Sequence, residues 1–360
     1  MISFARGAPA PECLNVEELA DCARVALEQD GVAILSYGPG GGYGPLRERL
    51  AEWHGVDPGR VVITSGSLQG FAFLAEQLIR AGTRVLVEAP TYDRPLKILS
   101  RLGAEIVGVP MDEDGLIPDE LPEGEFAFLY TIPTFQNPSG RTLSVERRHR
   151  LAELAQERGL LVLEDDPYGL VRYVGEPLPS VFELAGGDQI AYCSSFSKTI
   201  APGLRVGWFV LPPQLAAEIE ALAVSTYISP PYLTQATVNE LLRRQSFLPN
   251  LDRVNGLLRA RRDAMLEALE RELPDDATWT RPDGGYFVWV DLPSGPPAAE
   301  LLVEAEAAGV TFVKGSDFFA GGRGGECALR LAFSFVSPDE ISEGVARLGA
   351  LVRAAAPAAL

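Results

Sequence analysis

The chain has 360 residues, 47% of them hydrophobic, and a formal net charge of −18. This length is sufficient for one large and one smaller domain of an ordinary globular protein. The acidic balance disfavours a nucleic-acid partner, because proteins that bind phosphate backbones carry an excess of Lys and Arg.

The sequence also lacks the patterns of membrane and secreted proteins. No apolar run approaches the roughly 20 residues that span a bilayer, and the first residues do not resemble a signal peptide. The four cysteines form no Cys-x-x-Cys pair and the chain has only two histidines, so we expect neither a metal site nor a disulfide framework. We therefore expect a cytoplasmic protein without a membrane partner.

Helix and strand patterns alternate through the first two thirds of the chain. Asn15 and Glu18 are typical of a capping box and predict a helix that ends near Gly31. An amphipathic stretch at 144–158, stopped by Gly159, is one of several that separate the predicted strands. Seven short apolar runs without strict alternation begin at Val61, Arg84, Glu105, Phe126, Leu160, Ile190 and Val206. The pattern predicts an α/β domain with a mostly parallel, seven-stranded sheet sandwiched by helices.

The pattern changes from about Leu251 onward. A long helix at 251–272 is followed by an alternating strand at 286–291, a helix at 298–308 and two more strands, and a closing helix begins near Pro338. This order predicts a smaller α+β domain. We assign residues 13–255 to the large domain, and residues 1–12 together with 256–360 to the small one.

Candidate site residues follow the carboxyl ends of the predicted strands, where ligands of α/β sheets bind. Ser65, Gly66, Ser67 and Leu68 follow the first strand and open a helix, whose free N–H groups can bind a phosphate. Tyr92 follows the second strand, where its ring can stack on a planar ligand. Taken alone, Gly66 can simply allow the chain to turn, and Tyr92 can be an ordinary residue with no ligand contact.

Two more polar side chains follow the fourth and fifth strands. Asn137 can donate a hydrogen bond to an acceptor oxygen, although Asn-Pro also starts turns that have no chemistry. Asp165 can keep a pyridine nitrogen protonated, or it can be a helix cap or a loop carboxylate. Each alternative is reasonable for a single residue, so only the combination of these residues indicates a ligand site.

Lys198 is the most informative residue, because its neighbours can bind a phosphate. It follows Ser195 and Ser197 at the end of a strand, and Arg205 lies seven residues further on. A lysine amine can form an imine with an aldehyde, and hydroxyls with a guanidinium can hold a phosphate. An aldehyde with a phosphate describes pyridoxal 5'-phosphate (PLP). Five strand ends therefore each offer a group that this one cofactor requires.

The order of these groups resembles the fold-type I PLP enzymes, in particular the class I/II aminotransferases. The resemblance rests on Gln-Asn-Pro-Ser-Gly around Asn137, Glu-Asp-Asp-Pro-Tyr around Asp165, and Ser-Phe-Ser-Lys with Pro-Gly-Leu-Arg-Val-Gly around Lys198. The motifs are most similar to the subgroup that contains 2-aminoadipate aminotransferases and the aminotransferase-like domain of MocR-type regulators. The resemblance implies a PLP-dependent aminotransferase that moves an amino group between an L-amino acid and a 2-oxo acid by a ping-pong mechanism.

The resemblance also implies roles for the residues around the cofactor ring. Lys198 would bind the cofactor as an imine and move the substrate proton, and Asp165 would pair with the pyridine nitrogen. Asn137 and Tyr168 would donate hydrogen bonds to the phenolic oxygen, and Tyr92 would stack on the ring. The catalytic set implied in this way is Lys198, Asp165 and Tyr168.

The remaining implied roles concern the phosphate, the neighbouring subunit and the substrate. Tyr37 matches a tyrosine that reaches the phosphate of a second subunit, which implies a homodimer. Arg330 matches the arginine that binds the substrate α-carboxylate, beside Asn137 and Gly7. The phosphate would be held by Ser65, Gly66, Ser67, Leu68, Ser195, Ser197 and Arg205.

One position departs from the family pattern. The family usually has glycine where Arg6 stands, in a segment that borders the substrate side chain. Arg6 is therefore a candidate for binding the far end of an acidic or polar substrate, or else a solvent-facing terminal residue.

Two other functions remain open on the same residues. A PLP-dependent β-lyase or related eliminase would use the same lysine and phosphate site. A non-catalytic, MocR-like PLP-sensing module is less expected, because the chain is acidic.

Overall fold

In the computed structural model, residues 1–186 and 188–355 are described. The strands are β1 (Ile2–Ser3), β2 (Val61–Thr64), β3 (Arg84–Ala89), β4 (Glu105–Asp112), β5 (Gly115–Leu116), β6 (Leu129–Thr131), β7 (Val162–Asp165), β8 (Ile190–Ser195), β9 (Gly207–Val210), β10 (Thr278–Trp279), β11 (Phe287–Asp291), β12 (Val310–Thr311), β13 (Val313–Lys314) and β14 (Ala328–Ala332). The α-helices are α1 (Val16–Ile34), α2 (Gly44–His54), α3 (Ser67–Leu78), α4 (Asp93–Arg101), α5 (Val145–Arg158), α6 (Val181–Ala185), α7 (Pro213–Tyr227), α8 (Tyr232–Arg243), α9 (Phe247–Glu272), α10 (Ala298–Ala307) and α11 (Pro338–Ala355).

The large sheet has the strand order β2-β9-β8-β7-β6-β3-β4-β5. The pairs β8–β7, β7–β6, β6–β3 and β3–β4 are parallel, whereas β9 is antiparallel to both of its neighbours. The predicted mostly parallel sheet is therefore confirmed. The two-residue strand β5 adds an eighth strand by turning back on β4 at the sheet edge.

Helices cover both faces of this sheet. Successive residues of a strand point to opposite faces, so an apolar strand contributes side chains to a core on each side. Val85 and Val87 of β3 lie in one buried cluster with Leu74 of α3. Leu86, between them, joins a separate cluster with Leu151 of α5. Strands that are buried on both faces must be apolar throughout, which explains the continuous apolar runs in the sequence.

The C-terminal part of the chain forms a smaller antiparallel sheet in the order β10-β11-β14-β13. The N-terminal strand β1 pairs in parallel with β12, so Ile2 lies beside Val310. The segment continues along β14, where the Ala332 amide donates to the Phe4 carbonyl at 2.7 Å. The N-terminal segment is thereby held close to Arg330, which also lies on β14.

Several helix and strand boundaries in the structure differ from the predicted ones. The first helix does not end near Gly31 but continues to Ile34 after a kink at Asp30, whose φ is −139°. The Asp30 carboxylate accepts a hydrogen bond from the Tyr43 hydroxyl at 2.9 Å. The fifth predicted strand shifts toward its C-terminus and ends on Asp165 itself.

The predicted division into domains at 12/13 and 255/256 stays a prediction. Helix α9 runs continuously from Phe247 to Glu272 across the second of these boundaries. Within residues 1–186 and 188–355, the structure contains no helix both long and apolar enough to cross a membrane.

Candidate active site

A cavity of about 330 Å³ lies at the carboxyl edge of the large sheet. Strands β2 and β8 are both antiparallel to β9, so β2 points in the same direction as the parallel strands. The residues that follow β2, β3, β6, β7 and β8 therefore meet at one edge. Of the predicted site residues, the cavity is lined by Gly7, Ser67, Leu68, Tyr92, Asn137, Asp165, Tyr168, Ser195, Ser197, Lys198, Arg205 and Arg330.

Lys198 lies in the turn after β8, and both its side chain and its backbone are held by hydrogen bonds. Its Nζ donates to the Gly7 carbonyl at 2.6 Å, and its own carbonyl accepts from the Tyr286 hydroxyl at 2.9 Å. Gly7 must be glycine for this approach, because a Cβ there would overlap the Phe287 ring. Burial, reinforced by the positive charges of Arg330 and Arg205, lowers the pKa of Lys198 to about 8. A nucleophilic free amine is therefore accessible near neutral pH.

Asp165 ends β7 at the floor of the cavity and is buried. Its Oδ2 accepts from the Tyr130 hydroxyl at 2.7 Å, and its Oδ1 accepts from the Cys193 thiol at 3.4 Å. Burial raises the pKa of Asp165 to about 6, although both donors act in the opposite direction. Both hydrogen-bond donors are neutral, so the carboxylate charge is available to a cationic group of a ligand.

A candidate anion site lies where α3 begins. The first N–H groups of an α-helix lack intrahelical acceptors, and Ser67 and Leu68 place this first turn of α3 against the cavity. The Ser195 and Ser197 hydroxyls lie 2.8 Å apart, and Arg205 Nη1 donates to the Ser197 hydroxyl at 3.3 Å. Hydroxyls, a guanidinium and a helix N-terminus together form a phosphate-binding arrangement.

Ser65 and Gly66 lie behind this anion site and do not line the cavity. Arg205 Nη2 donates to the Ser65 carbonyl at 2.9 Å. Gly66 has a φ of 79°, and a Cβ there would overlap the Arg205 guanidinium. The two residues therefore orient Arg205.

Arg330 is a buried cation whose hydrogen-bond partners are neutral. Its Nη1 donates to Asn137 Oδ1 at 3.0 Å, and its Nη2 donates to the Ala5 carbonyl at 2.8 Å. The guanidinium carbon lies 4.3 Å from the Phe287 ring centroid and 5.0 Å from that of Phe318. Burial lowers the pKa of Arg330 to about 10, and its Nε has no partner within the described residues. Such a cation favours binding of a carboxylate from the cavity side.

The loop that carries Asn137 is fixed by a buried carboxylate. Glu88 accepts from the Thr131 hydroxyl at 2.5 Å, the Ile132 amide at 3.1 Å and the Gln136 side chain at 2.9 Å. Gln136 in turn accepts from the Ser139 amide at 2.8 Å. This network fixes the backbone on both sides of Asn137, and Asn137 then orients Arg330.

Aromatic side chains form the remaining walls. Tyr92 precedes the first turn of α4, and burial raises its pKa to about 12, so it stays neutral. The Tyr168 ring packs edge-on against Phe287 with centroids 5.9 Å apart. Lys198 Nζ lies 5.7 Å from the Tyr168 ring centroid. The amine therefore lies beside the aromatic wall.

Two further predicted residues, Tyr37 and Arg6, do not line this cavity. Tyr37 is on the surface, with 81% of its area exposed. Arg6 is also exposed, and its guanidinium carbon lies 4.0 Å above the Phe335 ring centroid. The roles assigned to them, like those of the other site residues, stay predictions.

Sequence reasoning missed several residues that the fold brings to the cavity. Tyr130 ends a predicted strand, so its position offered the same signal as Asp165 did. Phe287 follows the Gly-Gly-Tyr sequence before β11, and Arg94 lies two residues after Tyr92. Their contacts depend on how strands and helices from distant parts of the chain pack together.

The arrangement fits PLP. The anion site suits a phosphate, the Asp165 carboxylate suits a protonated pyridine nitrogen, and the Lys198 amine suits an aldehyde. Arg330 adds a carboxylate site on the same cavity. The site can therefore hold an α-amino acid beside a base and an electron-accepting cofactor.

Comparisons with known proteins agree with this geometry. The family model described as aminotransferase class I and II matches residues 2–348. A 2-aminoadipate transaminase of Thermus thermophilus is 41% identical over 356 residues, which cover 97% of this chain and 89% of that protein. An HTH-type transcriptional regulator of Bacillus subtilis is 30% identical over 321 residues, 87% of this chain and 66% of the regulator.

A solved structure gives the same result at the level of the fold. An alpha-aminoadipate aminotransferase from Thermus thermophilus, complexed with N-(5'-phosphopyridoxyl)-L-leucine, superposes with a TM-score of 0.93 at 40% identity. The match covers 98% of this chain and 92% of that chain. This chain therefore belongs to the class I and II aminotransferases, a family of PLP-dependent enzymes that move an amino group between an amino acid and a 2-oxo acid.

Proposed function

We propose that Lys198, Asp165 and Arg330 carry out this ping-pong amino transfer, with Lys198 as the base. The observation that supports it is one cavity that contains a low-pKa amine, a buried carboxylate with neutral donors, and a buried guanidinium with neutral partners. These three groups suit three parts of a PLP reaction on an amino acid: the aldehyde, the protonated ring nitrogen and the substrate carboxylate.

When bound, PLP supplies an aldehyde and an electron-accepting ring. The phosphate would be held by the first turn of α3, by Ser195 and Ser197, and by Arg205. Asp165 would keep the proton on the ring nitrogen, and Tyr92 would pack against the ring. Asn137 and Tyr168 would donate hydrogen bonds to the phenolic oxygen.

Arg330 binds the α-carboxylate and so presents the substrate Cα toward Lys198. The free Lys198 amine then takes the α-proton and holds it until it is returned. Aromatic walls from Tyr92, Tyr168 and Phe287 limit the access of water to this proton transfer.

The reaction is tested with a panel of amino donors against 2-oxoglutarate and pyruvate. We expect the cofactor absorbance to change when the donor is added alone and to return when the 2-oxo acid follows. A 2-aminoadipate donor belongs in the panel because a relative carries that name. Ammonia release from the donor without any 2-oxo acid would instead indicate a lyase.

Arg330→Gln is expected to lower kcat/KM by about a hundredfold, mainly through KM, because it removes a buried charge-assisted contact to the substrate. The loss should be similar for every donor, since every α-amino acid has the α-carboxylate. Steady-state kinetics with a neutral and an acidic donor check this, and Arg330→Lys should recover part of the affinity. A donor-dependent loss would show that Arg330 reads the side chain.

We also propose a cytoplasmic homodimer in which Tyr37 reaches the partner subunit's phosphate site. The exposure of Tyr37 on an isolated chain supports this, because a large aromatic side chain is seldom left in water without a partner. Sedimentation equilibrium gives the oligomeric state.

The contribution of Tyr37 to a second subunit is tested by mixing two weakened variants. A hybrid dimer of Lys198→Ala and Tyr37→Ala chains contains one site with both residues intact. We expect the mixture, after subunit exchange, to exceed the mean activity of the two pure variants. Activity equal to that mean would place the Tyr37 function within its own chain.

A further inference from the structure

Arg94 is a cavity residue that the proposed reaction does not use. It lies in the first turn of α4, two residues after Tyr92, and lines the same cavity as Lys198 and Arg330. Its side chain is 57% exposed, so the guanidinium can reach toward the cavity opening without being withdrawn from a buried contact.

The other cations of the cavity have partners in the proposed reaction. Arg205 faces the phosphate, Arg330 faces the α-carboxylate, and Lys198 reacts as a neutral amine. Arg94 alone among the cationic residues that line the described cavity is left without an assigned anion.

The local carboxylate of Asp93 forms only a long ion pair with Arg94. Asp93 Oδ2 lies 3.7 Å from Arg94 Nε, beyond hydrogen-bond distance, whereas Lys97 Nζ lies 2.6 Å from the same oxygen. Asp93 therefore pairs mainly with Lys97, and the group formed by Asp93, Arg94 and Lys97 keeps a net positive charge. The repulsion that Asp93 would exert on an anionic ligand is offset by Lys97.

Helix stability does not explain an arginine at this position. The N-terminus of a helix carries a partial positive charge, which disfavours a cation in the first turn. An anion bound beside Arg94 would offset this unfavourable contact with the helix end.

The position of Arg6 also favours Arg94 as the residue that binds an anion at this cavity. Arg6 is the residue that the sequence suggested for the far end of the substrate, but its guanidinium lies over Phe335 and does not line the cavity. Arg94 is on the cavity wall that carries Tyr92, whereas Arg330 and Phe287 come from the small sheet.

We infer that Arg94 is a specificity-determining residue, which binds the side-chain carboxylate of an acidic amino acid and of its 2-oxo acid. Arg330 binds the α-carboxylate of the same molecule. This inference rests on the proposed function and adds to it the residue that selects dicarboxylic substrates.

The kinetic test compares Arg94→Gln with the native enzyme on L-2-aminoadipate and L-norleucine, which differ at the end of a side chain of similar length. We expect kcat/KM for 2-aminoadipate to fall by about tenfold to a hundredfold, the range of a charge-assisted hydrogen bond. The value for norleucine should change by less than about threefold, as a surface substitution does. Arg94→Lys should retain part of the preference for the acid.

Arg101→Gln is the matched control, because it removes one positive charge from the same helix at an exposed residue that does not line the cavity. We expect this control to leave the preference for the acid nearly unchanged. An equal loss in Arg101→Gln and Arg94→Gln would overturn direct contact in favour of a general field effect.

A binding measurement separates this inference from the reaction itself. Calorimetric titration of the PLP-loaded enzyme with glutarate and with pentanoate compares two and one carboxylates on the same carbon chain. Arg94→Gln should weaken glutarate by about tenfold and leave pentanoate unchanged. Unchanged glutarate binding would overturn the inference while leaving transamination of neutral donors intact, whereas a native enzyme inactive on every donor would overturn the proposed function.

Discussion

Lys198→Ala is expected to lower kcat by at least about a thousandfold, because it removes both the amine that binds the cofactor and the base that moves the α-proton. The environment of this lysine prepares it for both tasks. Burial and two nearby arginines lower its pKa to about 8, so the neutral amine is accessible near physiological pH.

The measurement is turnover of the purified variant with a donor and a 2-oxo acid, together with the cofactor spectrum. The pH response of imine formation by cofactor-free native protein gives a second readout. Below about pH 8 the amine is mainly protonated, so capture of PLP should become faster as the pH rises through that value. This dependence should be missing from Lys198→Ala.

Lys97→Ala serves as a control, because Lys97 is an exposed lysine outside the cavity. We expect it to keep the native spectrum and nearly native kcat. If Lys198→Ala retained full turnover, another group would have to act as the base.

The position of Lys198 could be predicted because it depends on local sequence and a general rule. A buried strand, two hydroxyls and a lysine follow one another directly in the chain. Parallel strands bring their carboxyl ends to one edge, so the residues after β3, β6 and β7 had to lie near Lys198. Pattern and topology together were sufficient to predict that Lys198, Asp165 and Asn137 lie at one cavity.

Contacts that depend on packing could not be predicted in this way. The Tyr130 hydroxyl reaches Asp165 only because β6 and β7 pair in a particular register. Arg6 differs from the family pattern, but only the packing of Phe335 shows that its guanidinium lies outside the cavity. The positions of Arg6 and Arg94 relative to the cavity are both set by packing between distant segments of the chain.

The same distinction applies to the residues behind the phosphate site. Ser65 and Gly66 lie beside Ser67 in the sequence, and the pattern assigned all three to the phosphate. In the structure, Ser65 uses its carbonyl to hold Arg205, and Gly66 provides space for the same guanidinium. These contacts with Arg205 depend on packing, which sequence spacing does not reveal, and the direct phosphate contacts predicted for both residues stay predictions.

Asp165→Asn is expected to lower kcat by about a hundredfold to a thousandfold, the cost of losing one preorganised electrostatic contact in an active site. The amide has nearly the shape of the carboxylate but no charge, so it cannot hold the proton on the ring nitrogen. Its NH2 group would also replace one of the two oxygens that accept from the Tyr130 hydroxyl and the Cys193 thiol, so one of these two hydrogen bonds would be lost.

The pH dependence of cofactor binding gives an independent readout of the same charge. In the cofactor-free protein the pKa of Asp165 is raised to about 6, so the carboxyl is charged above that value and neutral below it. Native PLP affinity should therefore weaken as the pH falls through about 6. The PLP phosphate also titrates near about pH 6, but that contribution persists in Asp165→Asn, and only the difference between the two proteins reports on Asp165.

Asp166→Asn is the control that separates the ring-nitrogen contact from the general loss of a buried charge. Asp166 is the next residue, and its carboxylate accepts from the Gly169 amide at 2.8 Å and from the Tyr192 hydroxyl at 3.2 Å, outside the cavity. Both variants remove one buried carboxylate charge from the same strand end, so a similar change in stability is expected in thermal unfolding. A large loss of kcat should occur only in Asp165→Asn. If the two variants lost activity equally, the effect would come from the strand end as a whole, and Asp165 would have no separate role at the ring.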